Sequence, residues 1–231
     1  MAGISRWACR AAALFILLLL WAPASLAAPS VYPTFQADVM FQTGKKAARP
    51  VGRAMSAGGL SRLDVRTAKA GDFSVIVDMG AMRMKVASHA LKAYVEIPLQ
   101  GRIDDWRDIV RCAAAYVLPQ SMGMMDLREA QRRDKGAKTL RGYRVRHVAS
   151  VFETVFMGMR RSFEIETWEN DTFFPFPMQA ASAETADTWG GRAWLAGITA
   201  DDAPESAFSL PGAFTRFGSV MDLVLYALAS F

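Results

Sequence analysis

The side chains best suited to catalysis or metal binding are scarce in this 231-residue sequence: two histidines, His89 and His147, and two cysteines, Cys9 and Cys112. No Gly-x-Ser-x-Gly or His-Glu-x-x-His motif and no acidic metal cluster accompanies them. A tetrahedral site built on imidazole and thiolate needs more such ligands than this chain supplies. His147 shares a strand face with Tyr143 and Val145, which is the setting of a hydrogen-bonded, half-buried imidazole rather than a general base. His89 sits in Ser88-His89-Ala90, a turn-like surface context. Cys112 lies in the apolar stretch from Ile109 to Ala115, where a thiol packs as a small inert side chain. The expectation is a protein that is not an enzyme and needs no cofactor.

Methionine is the unusual residue. Twelve of the thirteen lie beyond residue 27, among them Met122, Met124 and Met125, Met157 and Met159, and Met79, Met82 and Met84. Thioethers suit Cu(I), so a Met-based copper carrier is one reading. Met82 and Met84 instead follow strand alternation, and methionine also fills irregular apolar space.

Positioning these residues falls to an extended chain with one helical interruption. Phe35, Ala37, Val39 and Phe41 alternate with Gln36, Asp38 and Gln42, the signature of a half-buried strand. Gly52–Ala57 and Leu60–Val65 flank Gly58-Gly59, a pair that fits a two-residue hairpin loop. In the second arm Leu63 and Val65 are expected inward and Arg62 and Asp64 toward solvent. Phe73, Val75, Val77 and Met79 form the next apolar edge, followed by Met82, Met84 and Val86, then Ala93, Val95, Ile97 and Leu99, which makes an antiparallel meander.

Helical spacing then appears. Asp104 or Asp105 can cap a helix carrying Trp106, Ile109, Val110, Ala113, Ala114 and Val117, with Pro119 as its stop. A short helix is a candidate over 126–132. Period two returns at Tyr143, Val145, His147, Ala149 and Val151 and at Phe163, Ile165 and Thr167. The run from Phe173 to Met178 reads as an apolar strand confined by its prolines to an edge or a bulge. Phe214, Phe217, Met221, Val224, Leu225 and Leu228 have the spacing of a closing helix.

At the other end, Arg6 and Arg10 precede an apolar run from Ala11 to Trp21, then Pro23 and Ser25-Leu26-Ala27. That is the layout of a cleaved export signal, and the run is shorter than the roughly 20 apolar residues of a membrane span. Residues 1–27 are expected to be removed, leaving 28–231 as one domain in the periplasm. The charges change with it, because 27 basic side chains become 25 against 22 acidic ones, a net of +3. Nucleic acid is thereby disfavoured as a partner. Basic groups around Lys45, Arg132 and Arg160 leave contact with a membrane surface or an envelope protein open.

The order of features resembles the LolA-like superfamily of periplasmic lipoprotein carriers, and within it an exported bacterial family of unassigned function. The likeness is carried by Phe35-Gln36-Ala37-Asp38-Val39, by the segment from Gly52 to Asp64, by Val77-Asp78-Met79, by Tyr94-Val95-Glu96-Ile97-Pro98-Leu99, and by Phe208 to Phe214 as a closing strand and Pro-Gly turn. The resemblance implies an α+β fold, a strongly curved antiparallel sheet or incomplete barrel with helices covering its concave face. It implies a lipid, acyl chain or other apolar ligand held between the two layers. Relative to that pattern the chain adds a helical insertion at about 104–134 and a C-terminal helix at about 213–230. The ligand-binding candidates are Phe73, Val75, Val77, Met82, Met84, Val95, Ile97, Phe163 and Ile165 on the sheet, with Trp106 and Ile109 on the cover. An envelope interaction or structural protein whose barrel is filled by its own side chains is the alternative from another class.

Overall fold

Alternation at the start of the meander is realised directly: in strand β1, Phe35–Gln42, Phe35, Ala37 and Val39 are buried while Asp38 is exposed. The computed structural model describes residues 32–67, 71–103, 106–120, 125–156, 158–183 and 190–219, together with Asp222, Leu223 and Tyr226. The proposed export signal, Asp104 and Asp105, Met122 and Met124, and most of the C-terminal segment lie outside the described residues.

Strands β2, Arg49–Ala57, and β3, Leu60–Thr67, are joined through Gly58 and Gly59, whose φ values of 59° and 85° make the two-residue hairpin turn expected from the sequence. Strands β4, Gly71–Asp78, β5, Arg83–Ser88, and β6, Ala93–Pro98, complete the meander. Met82 falls in the β4–β5 turn at φ 48° rather than on a strand. Helix α1, Trp106–Gln120, follows and runs through Pro119 instead of stopping before it. Its buried positions Trp106, Ile109, Val110, Ala113 and Val117 form the stripe that the spacing required, and Arg111 on the other side is exposed.

The second half differs more from the sequence expectation. Residues 126–132 belong to strand β7, Met125–Leu140, not to a helix. Leu, Arg, Glu, Ala and Gln favour helix locally by a few tenths of a kcal/mol each. Here that preference is outweighed by pairing along the length of β8, Tyr143–Phe156, reinforced by cross-strand ion pairs such as Arg128–Glu153 at 2.6 Å. β8 in turn pairs with β9, Met159–Glu169, without a register shift. The run Phe173–Met178 is not a strand. Asn170 accepts a hydrogen bond from the Thr172 amide and starts one 3-10 turn, Asp171–Phe173, after which the chain folds inward. Strands β10, Gln179–Ser182, and β11, Gly191–Thr199, then return the chain to β1.

The closing segment also departs from expectation. Phe208 ends a 3-10 turn, Glu205–Phe208, rather than opening a strand, while the Pro211-Gly212 turn is present, with the Phe214 amide donating to the Pro211 carbonyl. Residues 215–217, expected in the terminal helix, form strand β12, Thr215–Phe217, parallel to β6. An aromatic-rich stretch beside an open strand edge gains ladder hydrogen bonds that an isolated helical turn would not supply. The helical positions resume only after Ser219, whose hydroxyl caps the Asp222 amide at 2.9 Å.

Among the described residues the twelve strands make one sheet in the order β12, β6, β5, β4, β3, β2, β1, β11, β10, β9, β8, β7, antiparallel throughout except at β12. Helix α1 touches both β6 and β7. Those strands are ten places apart, about 48 Å if the sheet were flat, whereas a helix is about 10 Å across. The sheet is therefore rolled into an incomplete barrel, and among the described residues α1 covers its concave face, with Leu223 of the C-terminal segment packed against the same cluster. Among the described residues no helix is long and apolar enough to cross a membrane.

Candidate ligand-binding face

Cross-strand register assigns the concave face. Leu63 pairs with Val75, Val75 with Val86, Val77 with Met84, Val86 with Val95 and Met84 with Ile97, so these side chains stand on one side. Across the opening, Phe152 pairs with Phe163 and Ser150 with Ile165. Seven of the eleven sequence candidates meet in one buried cluster: Val77, Met84, Val95, Ile97, Ile165, Trp106 and Ile109. Val75, Met82 and Phe163 pack at its half-buried margin. Phe73 lies on the same face opposite Val65 and Ser88, yet belongs to no buried cluster of the described residues. The cluster also takes in residues the spacing did not single out for the site, notably Val86, Phe152 and Phe174.

A second cluster fills the neighbouring part of the concave face. Phe173, Phe176 and Met178 fold in against Phe35, Ala37, Val39 and Leu195, and Phe173 meets the rings of Phe35 and Tyr143 edge-on at 5.5 and 4.9 Å. The inward turn of residues 170–178 is what places them there. Two clusters of the chain's own buried side chains thus line the concave face.

A polar group missed by the hydrophobic pattern lies under the first turn of α1. Glu169, 4% exposed, accepts from Arg107 at 2.7 Å, from Arg146 at 3.1 Å, and from Thr167 and the Trp106 indole. Arg107 also reaches Glu129 of β7 at 3.5 Å and lies 4.7 Å from the Trp106 ring centroid. Two guanidinium groups thus face two carboxylates, with Arg107 and Glu169 buried and Arg146 and Glu129 partly exposed. Arg107 sits beside the apolar helical stripe and Glu169 beside a turn, so only their meeting across 62 residues of sequence marks the site.

Both histidines are held by hydrogen bonds. His147 is 4% exposed, its Nε2 is 3.0 Å from the Glu166 carboxylate, and its ring stacks on Trp168 at 4.5 Å. Burial alone would raise the Glu166 pKa, but hydrogen bonds from Lys135 and His147 outweigh it and hold the carboxyl below its usual range. His89 is not a free surface group: its Nε2 is 2.7 Å from Ser74 Oγ. Ser74 is fully buried and gives its own proton to Asp64, so it accepts from His89 and from Arg62. This order is unlike a nucleophile relay, in which the carboxylate orients the imidazole. Arg62 does not point to open solvent either, whereas Asp64 beside it stays partly exposed. Residues 203–210 cover Arg62, which donates to the Ala207 and Ser209 carbonyls while Phe208 packs on Met55 and Ile76.

Cys112 is buried, and its thiol contacts the Gln100 backbone at 3.3 Å, which agrees with an inert packed side chain. Of the copper-reading methionines, Met122 and Met124 lie outside the described residues, and Met125 opens β7.

No family model matches the sequence, and no curated protein matches it. Solved structures do. An uncharacterised conserved protein from Thermus thermophilus is similar at 9% identity and a TM-score of 0.44, covering 80% of this chain and 90% of that one. LprF from Mycobacterium bovis is similar at 10% identity and a TM-score of 0.31, with 78% and 90% covered. A putative outer membrane lipoprotein-sorting protein domain from Vibrio parahaemolyticus is similar at 7% identity and a TM-score of 0.31, with 78% and 91% covered. A domain described as lipoprotein-sorting is thus among the neighbours. At such scores the likeness carries no conclusion about activity.

Proposed function

We propose that this chain is an exported periplasmic carrier, not an enzyme, that shelters an apolar ligand or lipoprotein acyl group between the concave sheet face and α1. The observation that carries the proposal is helix α1 laid across the mouth of a rolled apolar sheet. Because α1 bridges two strands ten places apart in the sheet, displacing it would uncover Val77, Met84, Val95, Ile97 and Ile165 together. Greasy surface of that extent is stable in water only when covered, by α1 in the empty state and by cargo in the loaded one. The half-buried Met82 and Phe163 at the margin give an entering chain its first contacts. The buried Ser74–His89 pair supports the non-enzymatic reading, since a fully buried hydroxyl bonded to a carboxylate offers no accessible nucleophile.

Native mass spectrometry of protein purified from the periplasm of its own source, followed by uptake of a fluorescent fatty acid, tests this. Co-purified lipid or saturable uptake is the expected result. A clean unliganded mass with no uptake removes the carrier reading.

One observation favours a second reading, an envelope interaction or structural protein with a self-filled barrel. The described interior is already packed, with Trp106 and Ile97 at 0% exposure. That reading expects no uptake even when α1 is loosened.

A further inference from the structure

One line of the concave face, crossing β8 and β9, carries charged, hydroxyl and apolar side chains in sequence. On β8 the inward residues are Arg146, Val148, Ser150 and Phe152, and their partners on β9 are Glu169, Thr167, Ile165 and Phe163. The line grades from an ion pair through hydroxyls to stacked aromatic rings, Phe152 and Phe163 lying 5.8 Å apart. Such a gradient has the polarity of an amphiphile laid lengthwise.

Ser150 is the residue that the packing does not explain. It is 1% exposed, faces the ligand-binding cluster beside Ile165, and its Oγ has no hydrogen-bond partner. Thr167, the neighbouring hydroxyl, is by contrast bonded to Glu169. Leaving a buried hydroxyl unsatisfied costs about 1–3 kcal/mol, a penalty that alanine at the same place would avoid. Local charge narrows what could bond it. At 1% exposure, a free carboxylate or phosphate bonded to Ser150 would be a buried charge, and Arg107 and Arg146 are already engaged by Glu169 and Glu129. A neutral acceptor oxygen adds none.

We propose that Ser150 is a head-group contact: its Oγ–H donates to the carbonyl oxygen of a neutral acyl ester whose chain runs along Phe152 and Phe163 toward the margin. This rests on the carrier reading and gives it a ligand class, esterified acyl chains in preference to free fatty acids.

The test is competition of methyl palmitate and of palmitic acid against bound phenylnaphthylamine, using the full mature protein and its Ser150→Ala variant near neutral pH. In the parent the ester displaces the probe at lower concentration than the acid. In Ser150→Ala the ester weakens by about 3- to 10-fold, the worth of one ordinary hydrogen bond, while the acid and the probe itself are unchanged. The variant's melting temperature is expected to be equal or higher, because the hydroxyl it removes has no internal partner. A lowered melting temperature assigns Ser150 to the fold and overturns the proposal. Equal affinity for ester and acid, or an ester affinity unmoved by the substitution, overturns it too and leaves Ser150 with a buried water only. Both of those leave the carrier reading standing, whereas no binding of probe, ester or acid by the parent ends the carrier reading itself.

Discussion

Arg107 in the first turn of α1 and Glu169 at the end of β9 are joined at 2.7 Å with both side chains buried, tying the cover to the sheet it covers. Removing one charge leaves the other in a low-dielectric setting. Glu169→Leu is therefore expected to destabilise the fold by about 3 kcal/mol, seen as a lowered urea midpoint. The double variant with Arg107→Leu should recover part of the loss, and a double variant as unstable as the sum of the singles would show that the two residues are not coupled.

Trp106 has 0% exposure and fills the space between α1, Phe152 and the sheet, its ring 6.2 Å from that of Phe152. Trp106→Ala should cost about 3–5 kcal/mol through lost burial and the cavity left behind. On the carrier reading the surviving folded protein takes up an apolar fluorescent probe more readily than the parent. Unchanged uptake in a folded variant favours the self-filled barrel.

Glu166 supplies a pH dependence with a defined sign. Its carboxyl is held below the usual range in the folded chain, the hydrogen bonds from Lys135 and His147 exceeding the opposing effect of burial. The unfolded chain therefore binds a proton on this group more readily, and stability is lost as pH falls below about 4.5 and through the folded-state value. Above that window the contribution is fully present. In an acid titration followed by circular dichroism, Glu166→Gln should show a shallower decline than the parent, and identical acid limbs would contradict the assignment.

Gly52 is fixed by close approach. A Cβ at this position would stand 1.9 Å from the Asp64 carbonyl oxygen across the β2–β3 ladder, a contact that only backbone movement can relieve. Gly52→Ala is expected to lower stability by about 2–4 kcal/mol, to be read from thermal melts, whereas Gly58→Ala meets no neighbour within 4 Å and strains only its φ of 59°. Equal melting temperatures for the two would contradict the close-contact argument.

Period two alone carried the meander. In β1 and in β3 to β6 the inward residues are apolar except at positions such as Ser61 and Ser88, so local alternation identifies both the strand and its buried side, and the Gly58-Gly59 turn fixes the β2–β3 register. The same pattern picked out Val77, Met84, Val95, Ile97 and Ile165, and helical spacing picked out Trp106 and Ile109, because burial of an apolar side chain is a one-residue property that sequence displays. It did not identify β7, where helix-favouring residues are held extended by pairing with β8 and by ion pairs such as Arg133–Glu164 at 2.7 Å. Nor did it show the inward fold of residues 170–178, the parallel β12, or the covering of Arg62 by residues 203–210.

What the sequence determined by itself is which strands are half-buried and which helix has one greasy side. Only the tertiary structure decided that the sheet rolls until β6 and β7 meet one helix, and that Arg107, Arg146, Glu129 and Glu169 converge beneath it. The reason is physical: alternation and helical periodicity are set by neighbours a few residues away. Sheet curvature and buried charge pairing depend instead on groups brought together from distant parts of the chain, where each side chain's partner is chosen by the fold.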